Sequence, residues 1–228
     1  MVLARLRAVL FDVDHTLLDF DRAQRAALRA ALADFGLPFS PSILAAYRRI
    51  NDALWERYRR GAIRQSDLAD ERFRQLLVHL GGSPRRAARL GETFLDHLSS
   101  RGDRLPGCRR ALQRLGRRYR LGVVTNGIDR VQRSRLKAAR LDPFFETVVT
   151  SEGCGFAKPD PRILHVALRA LGVAPRKAVY VGDDPQVDGQ AAAGAGVAFC
   201  WMDRGTEAGG GRRPRLRVTG LRELEDLL

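Results

Sequence analysis

The sequence predicts an α/β protein: a parallel sheet core interrupted by a helical insert. Three observations lead there. Short apolar runs recur, and each ends in side chains that carry chemistry. From about residue 109 onward, strand and helix patterns alternate at βαβ spacing, which implies parallel strands covered on both faces. Between the first apolar run and that alternation, residues 17–103 read as helices alone.

The first strand, residues 8–12, runs Ala8-Val9-Leu10-Phe11 into Asp12-Val13-Asp14-His15-Thr16. In an extended chain i and i+2 share a face. Two carboxylates there repel, unless a cation lies between them or the chain bends and gives them separate roles. Open α/β sheets carry their chemistry at the carboxyl ends of strands. Alone, the pattern fits an active-site entry and an Asx-rich turn equally well. His15 reads as a loop-filling residue, with substrate contact as the alternative.

The insert is punctuated as four helices. Residues 21–35 are rich in Ala and Leu at helical spacing. Ser40-Pro41 pairs a cap with a proline at the first helical position, and Gly61 ends that helix. Ser66 is expected to cap the third, which stops at Gly81-Gly82. Ser83-Pro84 opens the fourth, which runs toward Ser99 and Gly102. Tyr47, Asn51, Trp55 and Tyr58 share one helical face. That face reads first as cap core, with an aromatic wall for a nucleobase as the functional alternative.

Beyond the insert, strands are expected at 121–125, 147–150, 179–182 and 197–201, with a short last strand near Arg217-Val218 and a helix from Leu221. Residues 205–214 form a polar Gly- and Arg-rich loop, and no internal repeat is visible. Strand 121–125 ends in Thr125-Asn126-Gly127, and strand 179–182 ends in Asp183-Asp184 with Asp188 close behind. Ala157-Lys158-Pro159-Asp160-Pro161 sets a lysine in a Pro-fixed turn. Of 40 basic residues only Lys137, Lys158 and Lys177 are lysines, so Lys158 stands out.

Four such segments in this order, each at or beside a strand end, resemble the haloacid dehalogenase superfamily in its phosphatase form. Asp12 and Asp14 match its first motif, and Thr125, Lys158 and Asp183 its second, third and fourth. The resemblance implies a Rossmann-like core over residues 1–16 and 104–228 and a helical cap over 17–103. Asn51, Leu54, Trp55, Tyr58, Gly61 and Ile63, with Arg72-Phe73, resemble the cap of the pyrimidine-nucleotide 5′-nucleotidase branch. Asp19-Phe20, Gly155-Phe156 and Cys200-Trp201 also look like that branch.

The resemblance implies a division of labour. Asp12 is the nucleophile, giving an aspartyl-phosphate. Asp14 protonates the leaving oxygen and then activates water. Asp12, Asp183 and the backbone carbonyl of Asp14 hold Mg²⁺, a hard cation suited to oxygen ligands. Thr125, Lys158 and the amides near Asn126 hold the phosphoryl group. Asp188 orients Lys158 or a water on the metal, and Asp184 is either a supporting acid or a helix cap. Trp55, Tyr58 and Arg72 are candidates for substrate choice.

Composition narrows the partners. A net charge of +14 invites a nucleic-acid polymer, but the arginines spread along nearly every helix, and at 7% aromatics there are too few stacking platforms. No apolar run approaches the roughly 20 residues of a membrane span. Residues 1–7 are too short and too charged for a signal peptide. Cys108, Cys154 and Cys200 give no disulfide framework. A cytoplasmic enzyme acting on a small phosphorylated metabolite is expected, most specifically a nucleoside monophosphate such as dUMP, dTMP or UMP. A phosphoglycolate or sugar-phosphate phosphatase is the alternative within the fold. A dehalogenase would not need the acid at Asp14, and a phosphomutase stays open. A silent binding module sits poorly with an intact Asp12, Asp14, Thr125, Lys158 and Asp183.

Overall fold

The computed structural model describes residues 6–205 and 216–228. Beyond Gly205, the loop expected over 205–214 lies outside them, as does most of the charged stretch 1–7. In chain order the strands are β1 (Ala8–Phe11), β2 (Arg120–Thr125), β3 (Thr147–Thr150), β4 (Ala178–Gly182), β5 (Ala198–Met202) and β6 (Leu216–Val218). The helices are α1 (Phe20–Asp34), α2 (Pro41–Arg59), α3 (Leu68–His79), α4 (Ala87–Ser99), α5 (Cys108–Leu115), α6 (Asp129–Ala138), α7 (Ser151–Cys154), α8 (Arg162–Leu171), α9 (Asp188–Ala195) and α10 (Leu221–Leu227).

The strands form one parallel sheet in the order β3-β2-β1-β4-β5-β6. Each expected strand is present, with ends shifted by one residue at most sites. Phe11 stands opposite Val123 on one side and Val181 on the other, so β1, β2 and β4 end nearly level. The order reverses between β1 and β4, which is where open α/β sheets leave a crevice for ligands. Asp12 and Asp183 follow directly on those two strands.

Alternation along the strands builds two cores. Val9, Phe11, Leu121, Val123, Val179 and Val181 pack with α5, α10 and Leu136 of α6. Ala8, Leu10, Val124, Ala178 and Tyr180 pack with α8 and α9 on the opposite face. Both faces of β1 are thus covered, which is why it reads as a continuous apolar run rather than an alternating one. Among the described residues no helix is long and apolar enough to cross a membrane.

The chain divides into two compact units. One ends at Phe20 and resumes at Gly102; the other is Asp21–Arg101. The second unit holds most of α1 and all of α2, α3 and α4. Its core centres on Tyr47, Phe73 and Phe94, all fully buried, with ring centroids 5.3 to 5.7 Å apart. Ser40 caps α2 as expected, its Oγ accepting from the Ile43 amide. Ser66 does not cap α3. It lies inside a 3₁₀ turn, Gln65–Asp67, and its hydroxyl donates to Asp67. A 3₁₀ turn leading straight into the helix leaves the serine in the wrong place to cap. Ser83 accepts from the Arg85 amide at the turn Pro84–Arg86 that leads into α4.

Candidate active site

The site grows from the end of β1. The Asp12 amide makes the last ladder bond, 2.9 Å to the Val181 carbonyl, and its side chain is buried. The chain then turns tightly, with the Leu17 and Leu18 amides both donating to the Val13 carbonyl at 2.9 Å. His15 takes the left-handed conformation in this turn, φ 61°, and sets its ring edge-on to Phe20.

Lys158 is presented by a backbone clamp. Asn126 Oδ1 accepts from the Lys158 amide at 2.8 Å, and Nδ2 donates to its carbonyl at 2.9 Å. The Asn126 side chain is therefore committed to Lys158. The Lys158–Pro159 peptide is cis. Lys158 Nζ is buried and donates to Asp12 Oδ1 (2.6 Å), Asp188 Oδ1 (2.7 Å) and the Tyr180 hydroxyl (2.9 Å). Three acceptors match its three N–H groups. Burial alone would lower its pKa, but the Asp12 and Asp188 carboxylates hold it well above the usual lysine range.

Asp188, first residue of α9, anchors the ammonium. Its Oδ2 lies 3.2 Å from the Asp184 amide, and it shares the Tyr180 hydroxyl. A Cβ at Gly182 would sit 2.2 Å from Asp188 Oδ2, so only glycine allows this approach. Tyr180, the third partner of Lys158, is not singled out by the sequence motifs. Its one sequence signal is a phenol in an otherwise aliphatic strand.

The carboxylates outnumber the cations here. Asp12, Asp183 and Asp188 each place an oxygen within 4.8 Å of the others, and among the described residues Lys158 is the cation that pairs with them. Burial, only partly offset by Lys158, pushes Asp12 up to about 7. Burial and then the Asp12 and Asp188 charges push Asp183 up to about 9. The three carboxylates offer hard oxygen donors and exceed the single ammonium in charge, which is the chemistry of a divalent hard-cation site. Trp201 Nε1 fixes the Asp183 carbonyl at 3.0 Å. Asp184 serves the backbone instead. Its Oδ1 accepts from the Gln186 and Val187 amides and caps the turn into α9.

Two groups complete the constellation. Thr125 Oγ1, buried, accepts from the Gly127 amide (3.1 Å) and from Gln132 Nε2 (3.3 Å), which leaves its own hydrogen free to donate. Asp14 accepts from Arg135 Nη1 and Gln132 Nε2, two residues of α6 outside the sequence motifs. Asp12 is thus a buried carboxylate bound to an ammonium and set among acids, with the Thr125 hydroxyl at the end of the neighbouring strand β2. That arrangement suits attack by Asp12 on an anionic electrophile whose charge the neighbours offset.

Trp55, Tyr58 and Arg72 belong to the other unit. Arg72 is buried and donates to the Tyr47 hydroxyl at 3.2 Å. Trp55 and Tyr58 are half-buried and stack edge-to-face at 5.6 Å. Tyr47 and Asn51, earlier on the same helical face, are core.

The family model for haloacid dehalogenase-like hydrolases matches residues 9–202. The pyrimidine 5′-nucleotidase YjjG of Escherichia coli is 32% identical and covers 96% of both chains. A phosphoserine phosphatase of Thermus thermophilus is 34% identical over 96% of this chain and 98% of its own. A magnesium-bound crystal structure of the hydrolase YfnB from Bacillus subtilis superposes with a TM-score of 0.90 at 29% identity, covering 98% of this chain and 99% of that one.

Proposed function

The chain belongs to the haloacid dehalogenase-like hydrolase family and is a phosphatase of it, and from that premise we propose a Mg²⁺-dependent nucleoside 5′-monophosphatase preferring pyrimidines. The observation that carries the reaction is the Lys158 hub, which ties Asp12, Asp188 and Tyr180 to one ammonium.

Asp12 attacks phosphorus in line, so an oxygen–phosphorus bond forms as the bond to the leaving oxygen breaks. Asp14 gives that oxygen its proton. Water then attacks the aspartyl-phosphate, Asp14 takes a proton back, and Asp12 is released with inorganic phosphate. Lys158 fixes the rotation of the Asp12 carboxylate through Oδ1. Lys158 and the Thr125 hydroxyl offset phosphoryl charge. Asp12 and Asp183 would hold Mg²⁺ with the Asp14 carbonyl, and the ion would supply further charge neutralisation.

The pyrimidine reading is supported by the YjjG relative and by a buried polar set in the cap. Arg72 Nε and Asn51 Oδ1 are buried without hydrogen-bond partners. Asn51 Nδ2 donates to Asp52 Oδ1 at 3.1 Å. That unit thus holds one unmet donor and one unmet acceptor, and a uracil or thymine edge offers the complement: a carbonyl and an N3–H. Half-buried Trp55 and Tyr58 supply aromatic surface for the ring. The phosphoserine phosphatase relative keeps a small phospho-metabolite as the competing substrate.

Arg72→Ala is expected to raise KM for dUMP or dTMP about 10- to 100-fold, worth about 1–3 kcal/mol for a charged buried hydrogen bond, and to leave a nitrophenyl ester nearly unchanged. Steady-state kinetics on both substrates, with a melting curve, checks this. A parallel loss on both, with a lowered Tm, assigns Arg72 to the cap core.

A further inference from the structure

Asp14 must donate a proton and later accept one, yet it is held in a single way. Arg135 Nη1 donates to its Oδ1 at 2.5 Å, and Gln132 Nε2 donates to its Oδ2 at 2.7 Å. Both donors project from one face of α6. With each oxygen already accepting, the carboxylate is arranged as an acceptor.

The clamp is costly to build. Arg135 is 0% exposed, and Arg72 and Arg135 are the buried arginines among the described residues. Its Nε and Nη2 lack hydrogen-bond partners, and the guanidinium lies 5.4 Å from the centre of the Phe20 ring. An apolar side chain of similar volume would generally serve stability as well or better at such a place. Gln132 needs matching room: a Cβ at Gly127 would lie 2.1 Å from Gln132 Nε2. The same amide reaches Thr125 Oγ1 at 3.3 Å, so it ties the acid–base group to the phosphoryl-binding hydroxyl.

We propose that Arg135 and Gln132 are positioning residues that hold Asp14 for the second half of the reaction, the attack of water on the aspartyl-phosphate. In that step the water oxygen bonds to phosphorus, the bond from phosphorus to Asp12 breaks, and a water proton passes to Asp14. The first half, with a leaving group that needs no proton, does not call on the clamp. This inference rests on the phosphatase mechanism proposed above.

Rapid quenching with a nitrophenyl phosphate separates the halves, because nitrophenolate release reports formation of the phospho-enzyme and the steady state reports its breakdown. Arg135→Met is expected to keep the burst rate within about threefold and to slow the steady state about 10- to 100-fold, the range for a displaced catalytic group, so that phospho-enzyme accumulates. Arg135→Lys should restore part of the breakdown rate. Gln132→Met, which keeps the buried charge, should give a smaller loss with the same bias toward breakdown, and it carries the test if Arg135→Met does not fold. Equal slowing of burst and steady state, or no change in either, overturns the proposal. Absence of any phospho-enzyme in the unmodified protein overturns the covalent mechanism itself. That outcome is seen before any variant is made, so the two failures are distinct.

Discussion

Asp12→Asn is expected to lower turnover by about four orders of magnitude or more, the scale for loss of a catalytic nucleophile. The amide is nearly isosteric, but its oxygen is a poor nucleophile and cannot form a stable phosphoryl anhydride. The fold should not suffer. Asp12 is buried, its carboxylate is pushed up to about 7, and Lys158 keeps Asp188 and Tyr180 as partners. Removing one of three crowded negative charges should leave the metal-free Tm unchanged or raised. Turnover and a melting curve in EDTA check both halves. Near-normal turnover in this variant would remove Asp12 from the chemistry, and a collapsed Tm would make the lost activity uninformative about attack.

Chelation is expected to abolish activity, and Mg²⁺ to restore it. The binding also has a readout independent of catalysis. At about 100 times its dissociation constant, Mg²⁺ should stabilise the protein by about 2.7 kcal/mol, a rise in Tm of about 5–10 °C for a chain of this size. The pH dependence follows in sign. Asp12 and Asp183 start from an ordinary value of 3.8 and rise to about 7 and about 9 in the folded protein. The metal-free fold therefore binds their protons more tightly than the unfolded chain does. Its stability contribution is present at acid pH and is lost as pH climbs from about 4 toward 9. A cation replaces those protons, so the Mg²⁺-induced rise in Tm should grow between about pH 6 and about pH 9. Asp183→Asn should blunt it. Full hydrolysis after exhaustive chelation, or a Tm indifferent to Mg²⁺ across that range, contradicts the metal reading.

Much of this architecture is legible because the relevant signals are local. A strand buried on both faces must be apolar throughout, so Asp12 and Asp183 stand out where their strands stop. Ser-Pro and Gly punctuation divides the insert into four helices, although Ser66 misleads because a 3₁₀ turn precedes α3. Lys158 is conspicuous in a chain whose basic residues are nearly all arginine. For the same reason Arg135 is inconspicuous: one guanidinium among so many gives no contrast, and only folding shows that it is buried. Its bond to Asp14 joins residues far apart in sequence, as does that of Gln132. Tyr180 is likewise invisible until β4 lies beside β1 and brings its hydroxyl to Lys158. The side chains of Asn126 and Asp184 serve the backbone, one clamping Lys158 and the other capping a turn.

In this mechanism Asp12 itself carries the phosphoryl group. Acid quenching during turnover of a nitrophenyl phosphate, then borohydride reduction and mass spectrometry of the peptide containing Asp12, tests this most directly. Borohydride reduces an acyl phosphate to an alcohol and leaves free carboxylates intact. Homoserine is expected at position 12, dependent on substrate and absent from Asp12→Asn. An unmodified Asp12 under conditions of active turnover, or a reduced residue elsewhere, would contradict it.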